Sequence, residues 1–327
     1  MRIFRHYSEL PEDARGCAVA LGNFDGVHIG HRAVIAESGR VAKALGARHA
    51  VMTFEPHPRS FFRPDQPPYR LTPFRIKAHQ IAALGVDDLY NIHFDETFSR
   101  RSAEDFVSTV LVAGLGARHV VTGYDYVFGH NRGGDAALMA VMAERHGFGY
   151  TRVGPVEASP GEPYSSTRIR DHLMAGRPER AAALLGRPWE IEGRIEHGEH
   201  IGRALGFPTA NIPLGEYLRP AIGIYAVRAG IDEGEATIWR DGVANLGRRP
   251  TFGGTDIMLE VHLFDFEGDI YGRHLRVRLL SFIRPEKKFD DIGRLRAQIA
   301  EDCAMARRLL AAADTERPVA AADAINP

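Results

Sequence analysis

Between Cys17 and Gly154, short β-rich runs alternate with stretches of helical periodicity, and this alternation constrains the fold of the chain more than any other feature. Candidate strands are Cys17 to Leu21, His49 to Phe54, Leu89 to Ile92, His119 to Thr122 and Tyr150 to Val153. Helical segments are expected between them at His31 to Leu45, Pro73 to Leu84, Ala103 to Val112 and Asp135 to His146. Strands separated by helices of this length pair in parallel through right-handed crossovers. Punctuation supports the reading: Thr72 before Pro73 reads as N-cap and N1, Gly85 follows a helix end, and Ser102 with Asp105 resembles a capping box.

After Arg187 the pattern changes to short apolar runs broken by Gly and Pro, at Trp189 to Ile195, Ile222 to Arg228, Ala236 to Val243, Met258 to Phe264 and His274 to Leu280. That spacing suits a small antiparallel barrel. A long helix is expected from Phe289 to Leu310, with Ile292, Leu295, Ile299, Cys303 and Ala306 on one face. The length of 327 residues accommodates two domains, 1–186 and 187–312, cut near Leu185 to Pro188, with an Ala- and Pro-rich flexible tail at 313–327.

With 41 basic and 42 acidic residues the chain carries no broad electrostatic footprint for nucleic acid or anionic lipid, so neither is an expected partner and any phosphate chemistry must be local. Two cysteines, Cys17 and Cys303, make neither a disulfide framework nor a four-thiolate zinc site. No apolar run approaches the roughly 18 residues of a spanning helix, and no secretory leader is readable, so a cytoplasmic location is expected.

The run GNFDGVHIGH, Gly22 to His31, lies directly after the first strand and opens the first helix. In a parallel sheet that turn stands at the carboxyl end of a strand, where unpaired amides of a helix N-terminus receive anions. Its glycine spacing fits neither a dinucleotide fingerprint nor a Walker loop. His28 and His31, three residues apart, can address one phosphate and stabilise charge as pyrophosphate leaves. A zinc-binding pair, or two solvated histidines at a helix start, would satisfy the same spacing. TFEPHP (53–58), GYDYVFG (123–129) and SSTRIR (165–170) could converge on the turn, though each alone also reads as an ordinary loop or cap.

In the second half, GRALGFPTAN (202–211) sets Thr209 and Asn211 among small residues; both offer hard oxygen ligands suited to Mg²⁺, and both are ordinary turn residues. Glu260 sits in an alternating strand, as a general base for an alcohol or as a solvent-facing carboxylate.

The first half resembles the adenylyltransferase module of bacterial bifunctional riboflavin kinase/FAD synthetases, through its G-N-F-D-G-V-H-x-G-H turn and its S-S-T-x-I-R segment at Ser165 to Arg170. The resemblance implies a Rossmann-like nucleotidylyltransferase domain. In it His28, Gly30 and His31 would handle the α- and β-phosphates of ATP, and Ser166, Thr167 and Arg170 the leaving polyphosphate. Gly22, Asn23, Phe24 and Asp25 would shape the site, with Arg168 at a variable position. Asp125 and Phe128 would lie near the flavin, and Tyr126 replaces a usual Phe.

The second half is similar to the riboflavin kinase module of the same family, through GRALGFPTAN, GIYA (223–226), GVANLGRRPTF (242–252), LEVHLFDFEGDIYG (259–272) and RPEKKF (284–289). This similarity implies a six-stranded antiparallel barrel with a C-terminal helix. Gly202, Arg203, Gly206, Thr209 and Asn211 would bind ATP, with Mg²⁺ on Thr209 and Asn211. Glu260 would take the proton of the ribityl 5′-hydroxyl, with Asn245, Arg284 and Glu286 near the flavin. Riboflavin, FMN, FAD and ATP are the implied ligands.

Overall fold

The strands expected in the first half all form, with one added at the start: β1 Arg2–Phe4, β2 Ala18–Leu21, β3 His49–Glu55, β4 Asp88–His93, β5 His119–Gly123 and β6 Gly149–Val153. The computed structural model describes residues 1–197, 206–251 and 254–315. The strands pair in the order β1-β4-β3-β2-β5-β6, and every pairing is parallel. β2 is central, with β3 and β5 on opposite sides, so the strand order reverses at β2 and leaves a crevice at its carboxyl end. Val19, Leu21, Met52 and Tyr90 bury into one face of the sheet, while Ala20, Val51, Leu89 and Val121 bury into the other. Such strands are apolar on both sides because helices cover both.

Those helices are α1 Ile29–Leu45, α2 Pro58–Phe62, α3 Phe74–Ala82, α4 Glu96–Ser99, α5 Ala103–Asp105 with a π-helical continuation at Phe106–Gly114, and α6 Ala136–His146. The expected capping role of Thr72 is corrected: α3 begins at Phe74, with Pro73 in the N-cap position and no side-chain cap. The Thr72 hydroxyl instead accepts a hydrogen bond from the Gly26 amide at 2.8 Å. The Ser102 hydroxyl does cap, accepting from the Asp105 amide at 3.1 Å, whereas the Asp105 carboxylate accepts from Thr109 and Arg101 rather than closing a box.

By contact density the chain divides into two units, Met1–Pro67 with Thr72–Ser166, and Pro68–Leu71 with the described residues from Thr167 onward. The second contains α7 Ser166–Met174 beyond its first residue, α8 Pro178–Leu185, and six strands: β7 Trp189–Arg194, β8 Ala210–Pro213, β9 Gly223–Ile231, β10 Arg240–Thr251, β11 Gly254–Leu263 and β12 His274–Pro285. They pair antiparallel in the order β8-β11-β10-β9-β12-β7, and a bridge between Glu196 and Asn211 brings the two edges together. Tyr225, Val227, Ala244, Leu246, Leu259, Val261 and Leu279 alternate into a sealed interior.

The last helix, α9 Ile292–Thr315, covers part of the outer face. Its packed seam differs from the one expected, because Ile292 is exposed while Cys303, Ala306, Leu309 and Leu310 meet Ile224, Ala226 and Val243. Residues 313–315, expected in the tail, continue the helix, and Asp314 pairs with Arg228 at 2.6 Å.

One buried charge ties the outer strands of the parallel sheet. Asp88 opens β4 with its carboxylate fully buried, and it accepts from Arg2 at 2.8 Å and from both Arg48 nitrogens. Burial alone would raise its pKa, but the Arg48 and Arg2 guanidiniums prevail and hold it below the usual carboxylate value. A depressed carboxylate stabilises the fold above its unfolded value and loses that contribution as pH falls through its folded value. Asp88→Asn should therefore lower unfolding free energy at neutral pH by about 2 kcal/mol, since both arginines stay partly solvated. In urea titrations the gap to wild type should close as pH drops below about 4.

Candidate active sites

The turn between β2 and α1 is a strained loop pinned from beneath. Phe24 (φ 48°) and Val27 (φ 43°) adopt left-handed backbone, as does Gly26 (φ 93°). Left-handed backbone costs a side-chain-bearing residue about 1–2 kcal/mol. Phe24 and Val27 are also almost completely buried, and burying their side chains offsets that cost. Gly22 has no room for a side chain, because a Cβ there would stand 2.9 Å from the Phe24 ring.

Polar groups complete the seat. The Asp25 carboxylate, 3% exposed, accepts from the Thr72 amide at 2.9 Å and from its hydroxyl at 3.3 Å. The Asn23 carbonyl accepts from Thr53 Oγ1 at 3.2 Å and from Lys77 Nζ at 3.4 Å. Lys77, wholly buried on α3, also donates to Thr53 at 3.1 Å and pairs with Glu55 at 3.0 Å. The Ser166 hydroxyl donates to the Asp25 carbonyl at 2.8 Å, so one hydroxyl of the SSTRIR segment reaches the turn.

His28 is the N-cap of α1 rather than a member of its first turn. Its Nδ1 accepts the His31 amide at 3.2 Å, so the proton of the neutral ring sits on Nε2, where it can be donated to an anion. The His28 and His31 rings stack with centroids 3.5 Å apart, and Phe24 meets His31 edge-on at 5.4 Å. Gly30 makes the stack possible: a Cβ there would press to 3.2 Å from the His28 ring. Two imidazoles at the N-terminus of a 17-residue helix, over the carboxyl end of a central parallel strand, give an arrangement of N–H donors and helix dipole of the kind that suits an anion.

Thr167 and Arg170 are on α7, where Arg170 donates to the Tyr69 carbonyl at 2.9 Å and stacks over the Tyr69 ring. Asp125 is exposed in the loop after β5, while Phe128 is buried in the core against Phe106 and Tyr126. His57 caps α2 by accepting the Arg59 amide at 3.1 Å. Phe62, at the end of the helix α2 that follows β3, is 63% exposed and packs on Phe61 and on Phe94, the residue after β4.

On the barrel, register builds the second site. Asn211 of β8 lies directly opposite Glu260 of β11, and Glu260 lies opposite Asn245 of β10. Directly opposed residues share a face, so Asn211, Glu260 and Asn245 form one polar row on the outside of the barrel. The row continues through Ile224 of β9 to Arg284 of β12. Asn245 Oδ1 is buried without a hydrogen-bond partner among the described residues, an acceptor within the row that is open to a ligand. Glu286 Oε1 lies over Gly247, where a Cβ would come within 2.8 Å of it and 3.1 Å of Asn245 Nδ2.

Thr209 stands two residues before Asn211 and lines a cavity of about 300 Å³ at the barrel mouth, with Ile195, Ala210, Val261, Phe266 and Tyr271. His262 donates from Nδ1 to the Pro208 carbonyl at 2.8 Å and holds that turn against β11. Gly206 sits in an exposed turn with φ 89°; Gly202 and Arg203 lie outside the described residues.

Lys77 and Thr72 belong to no motif, and His262 was given no role within LEVHLFDFEGDIYG (259–272), yet Lys77 and His262 left a trace in the sequence. Lys77 interrupts the apolar period of α3 between Ile76 and Ile81, and His262 is two residues from Glu260 on a strand and so shares its face.

A histidine-paired helix start over a parallel sheet and a barrel bearing a row of side-chain oxygens are the architecture of a two-domain enzyme of nucleotide chemistry, and comparison with known proteins names its class. The family model for FAD synthetase matches residues 10–168, and that for riboflavin kinase matches 185–310. The chain is 39% identical over 307 residues to the bifunctional riboflavin kinase/FMN adenylyltransferase of Escherichia coli K12, covering 94% of this chain and 96% of that protein. The Pseudomonas fluorescens protein of the same name is 40% identical over 312 residues, covering 95% and 98%. A solved chain from Streptococcus pneumoniae, described as a macrolide-efflux protein, matches with a TM-score of 0.81 at 30% identity, covering 93% of this chain and 98% of its own. Among the described residues no helix is long and apolar enough to cross a membrane. The chain belongs to the bifunctional riboflavin kinase/FMN adenylyltransferase family.

The seat of the turn is open to a direct test. Thr72→Val removes the acceptor of the Gly26 amide and one donor to Asp25, at an expected cost of about 1–3 kcal/mol. Hydrogen exchange should show faster exchange at Gly26, with the barrel amides unchanged; equal exchange at Gly26 in both proteins would dismiss Thr72 as the anchor.

Proposed function

We propose how the chain divides the two activities that its family membership carries, riboflavin kinase and FMN adenylyltransferase. The second domain, 187–312, forms FMN and ADP from riboflavin and ATP. The first, 1–186, transfers AMP from ATP to FMN, giving FAD and pyrophosphate. Both reactions draw on ATP, which fits a cytoplasmic enzyme.

The observation that carries the kinase assignment is the register that sets Glu260 between Asn211 and Asn245. Glu260 takes the proton of the ribityl 5′-hydroxyl as its oxygen attacks the γ-phosphorus and ADP leaves. Thr209 and Asn211 fit Mg²⁺, because their neutral oxygens beside the Glu260 carboxylate form the hard, all-oxygen set that this ion takes. Arriving with ATP, Mg²⁺ would neutralise charge on the transferred and leaving phosphates. The cavity at the barrel mouth receives the nucleoside, where the Tyr271 and Phe266 side chains supply aromatic surface.

In the first domain an FMN phosphate oxygen attacks the α-phosphorus of ATP, and pyrophosphate departs. No side chain need become covalently attached; the work is positioning and electrostatic stabilisation. The stacked His28 and His31 and the amides opening α1 hold the phosphates, while Ser166, whose hydroxyl already reaches the turn, takes the leaving pyrophosphate. The exposed Phe62 ring, backed by Phe61 and Phe94, offers a stacking surface for the isoalloxazine.

Chromatography of FMN and FAD over time separates the two halves. His28→Ala with His31→Ala should still form FMN and should lose FAD formation by about 10²–10³-fold. Glu260→Gln should lose FMN formation by about 10²–10⁴-fold and still adenylylate supplied FMN. If both folded variants lose both reactions, the division is wrong. Gly30→Ala tests the geometry more finely: displacing the His28 ring by a few tenths of an ångström should slow adenylylation by about tenfold or more and leave FMN formation intact.

A further inference from the structure

The barrel row ends at Arg284, and what holds Arg284 is not part of the barrel. Its Nε donates to Asp302 Oδ1 at 2.9 Å and its Nη2 to Asp302 Oδ2 at 2.6 Å, a two-pronged bond to the middle of α9. Asp302 is 5% exposed, and Gln298 donates to it at 3.3 Å from one turn earlier. The remaining terminal nitrogen of Arg284 donates to the Pro285 carbonyl at 2.9 Å. Of five guanidinium N–H donors, three are thus held by the protein, and one on each terminal nitrogen remains for a ligand. A two-pronged carboxylate bond fixes the plane of the guanidinium as well as its position.

The register gives that plane a meaning. Arg284 stands three strands from Glu260, about 14 Å along the sheet, and the Asn245 acceptor lies between them. The separation is comparable to an extended ribityl chain with its ring. With the 5′-hydroxyl at Glu260, the isoalloxazine points toward the α9 end of the row, where Ile224 packs beneath the helix and the open N–H donors of Arg284 can meet acceptors on the ring edge.

We propose that Asp302 is a positioning residue for the riboflavin kinase site: its carboxylate sets the Arg284 guanidinium in line with Glu260 and Asn245, so that α9 fixes where the flavin ring rests. This inference rests on the assignment of the barrel row as the kinase site. Asp302 itself touches no reacting atom. Its effect falls on riboflavin binding, and the phosphoryl transfer at Glu260 stays intact.

The experiment uses the full-length enzyme, with FMN adenylylation in the other domain as an internal control. Asp302→Asn removes the charge from the clamp and should raise KM for riboflavin by about tenfold, with kcat, KM for ATP and FMN adenylylation within about twofold of wild type. Asp314→Asn breaks a different ion pair of the same helix, with Arg228, and should leave KM for riboflavin unchanged. Arg284→Lys keeps an ion pair with Asp302 but loses the planar fork and should raise the same KM; combining it with Asp302→Asn should add little.

A wild-type KM in Asp302→Asn, an equal rise in Asp314→Asn, or an additive double variant each overturns the proposal. Should Asp302→Asn fail to fold, Arg284→Lys decides alone, an unchanged KM for riboflavin again overturning it. Full FMN formation by Glu260→Gln would instead overturn the site assignment beneath it, whatever Asp302 does.

Discussion

The bond between the Asp25 carboxylate and Thr72 is what the nucleotide end of the first domain depends on. Three residues of the turn above it hold left-handed backbone, two of them with bulky side chains, and an isolated peptide would abandon that shape. Thr72 answers Asp25 with its amide and hydroxyl and accepts the Gly26 amide, while Lys77 and Thr53 hold the Asn23 carbonyl. Only because the loop is held in this shape does α1 begin where it does, with His28 as its cap and His31 stacked above. The two stacked rings are in turn carried by a buried threonine and a buried lysine.

The barrel reaches a comparable result by different means. Its interior is a run of aliphatic side chains, and alternation along each strand sends the intervening residues outward. Because Leu259 and Val261 must face inward, Glu260 must face outward; because Ala244 and Leu246 face inward, Asn245 joins it. The polar row is therefore specified by the apolar core behind it. The last helix adds apolar cover to part of the outer face through Ala306 and Leu310 and anchors the end of the row through Asp302.

How much of this was legible in the sequence follows from what kind of force built each part. The parallel sheet was readable because hydrophobic periodicity is local, and its strands lie within a residue or two of expectation. β1 escaped because three residues carry no period, and β8 because it follows directly on a turn rich in small residues. The paired histidines were visible as a spacing, but the stack was not, since it requires His28 to leave the helix and cap it. Thr72 was misassigned because a cap and a distant amide compete for the same hydroxyl, and only the tertiary fold decides between them. The face of α9 was legible in part: Cys303 and Ala306 pack as expected, but Asp302 joins the buried seam because Arg284 is opposite, a pairing across 18 residues that no helical period announces.

The alternation of the barrel strands also bears on how such a chain can vary. In β11 the residues that fill the core, Leu259 and Val261, flank the outward-facing Glu260 in sequence, so strand length and the composition of the outer row cannot change independently there. Losing a single residue from the strand would turn Glu260 into the apolar interior and bring a leucine or valine to the surface in its place. Insertions and deletions are therefore best tolerated at the hairpin tips, and relatives of this enzyme are expected to diverge in loop length while keeping the register that sets Asn211 of β8 opposite Glu260 of β11.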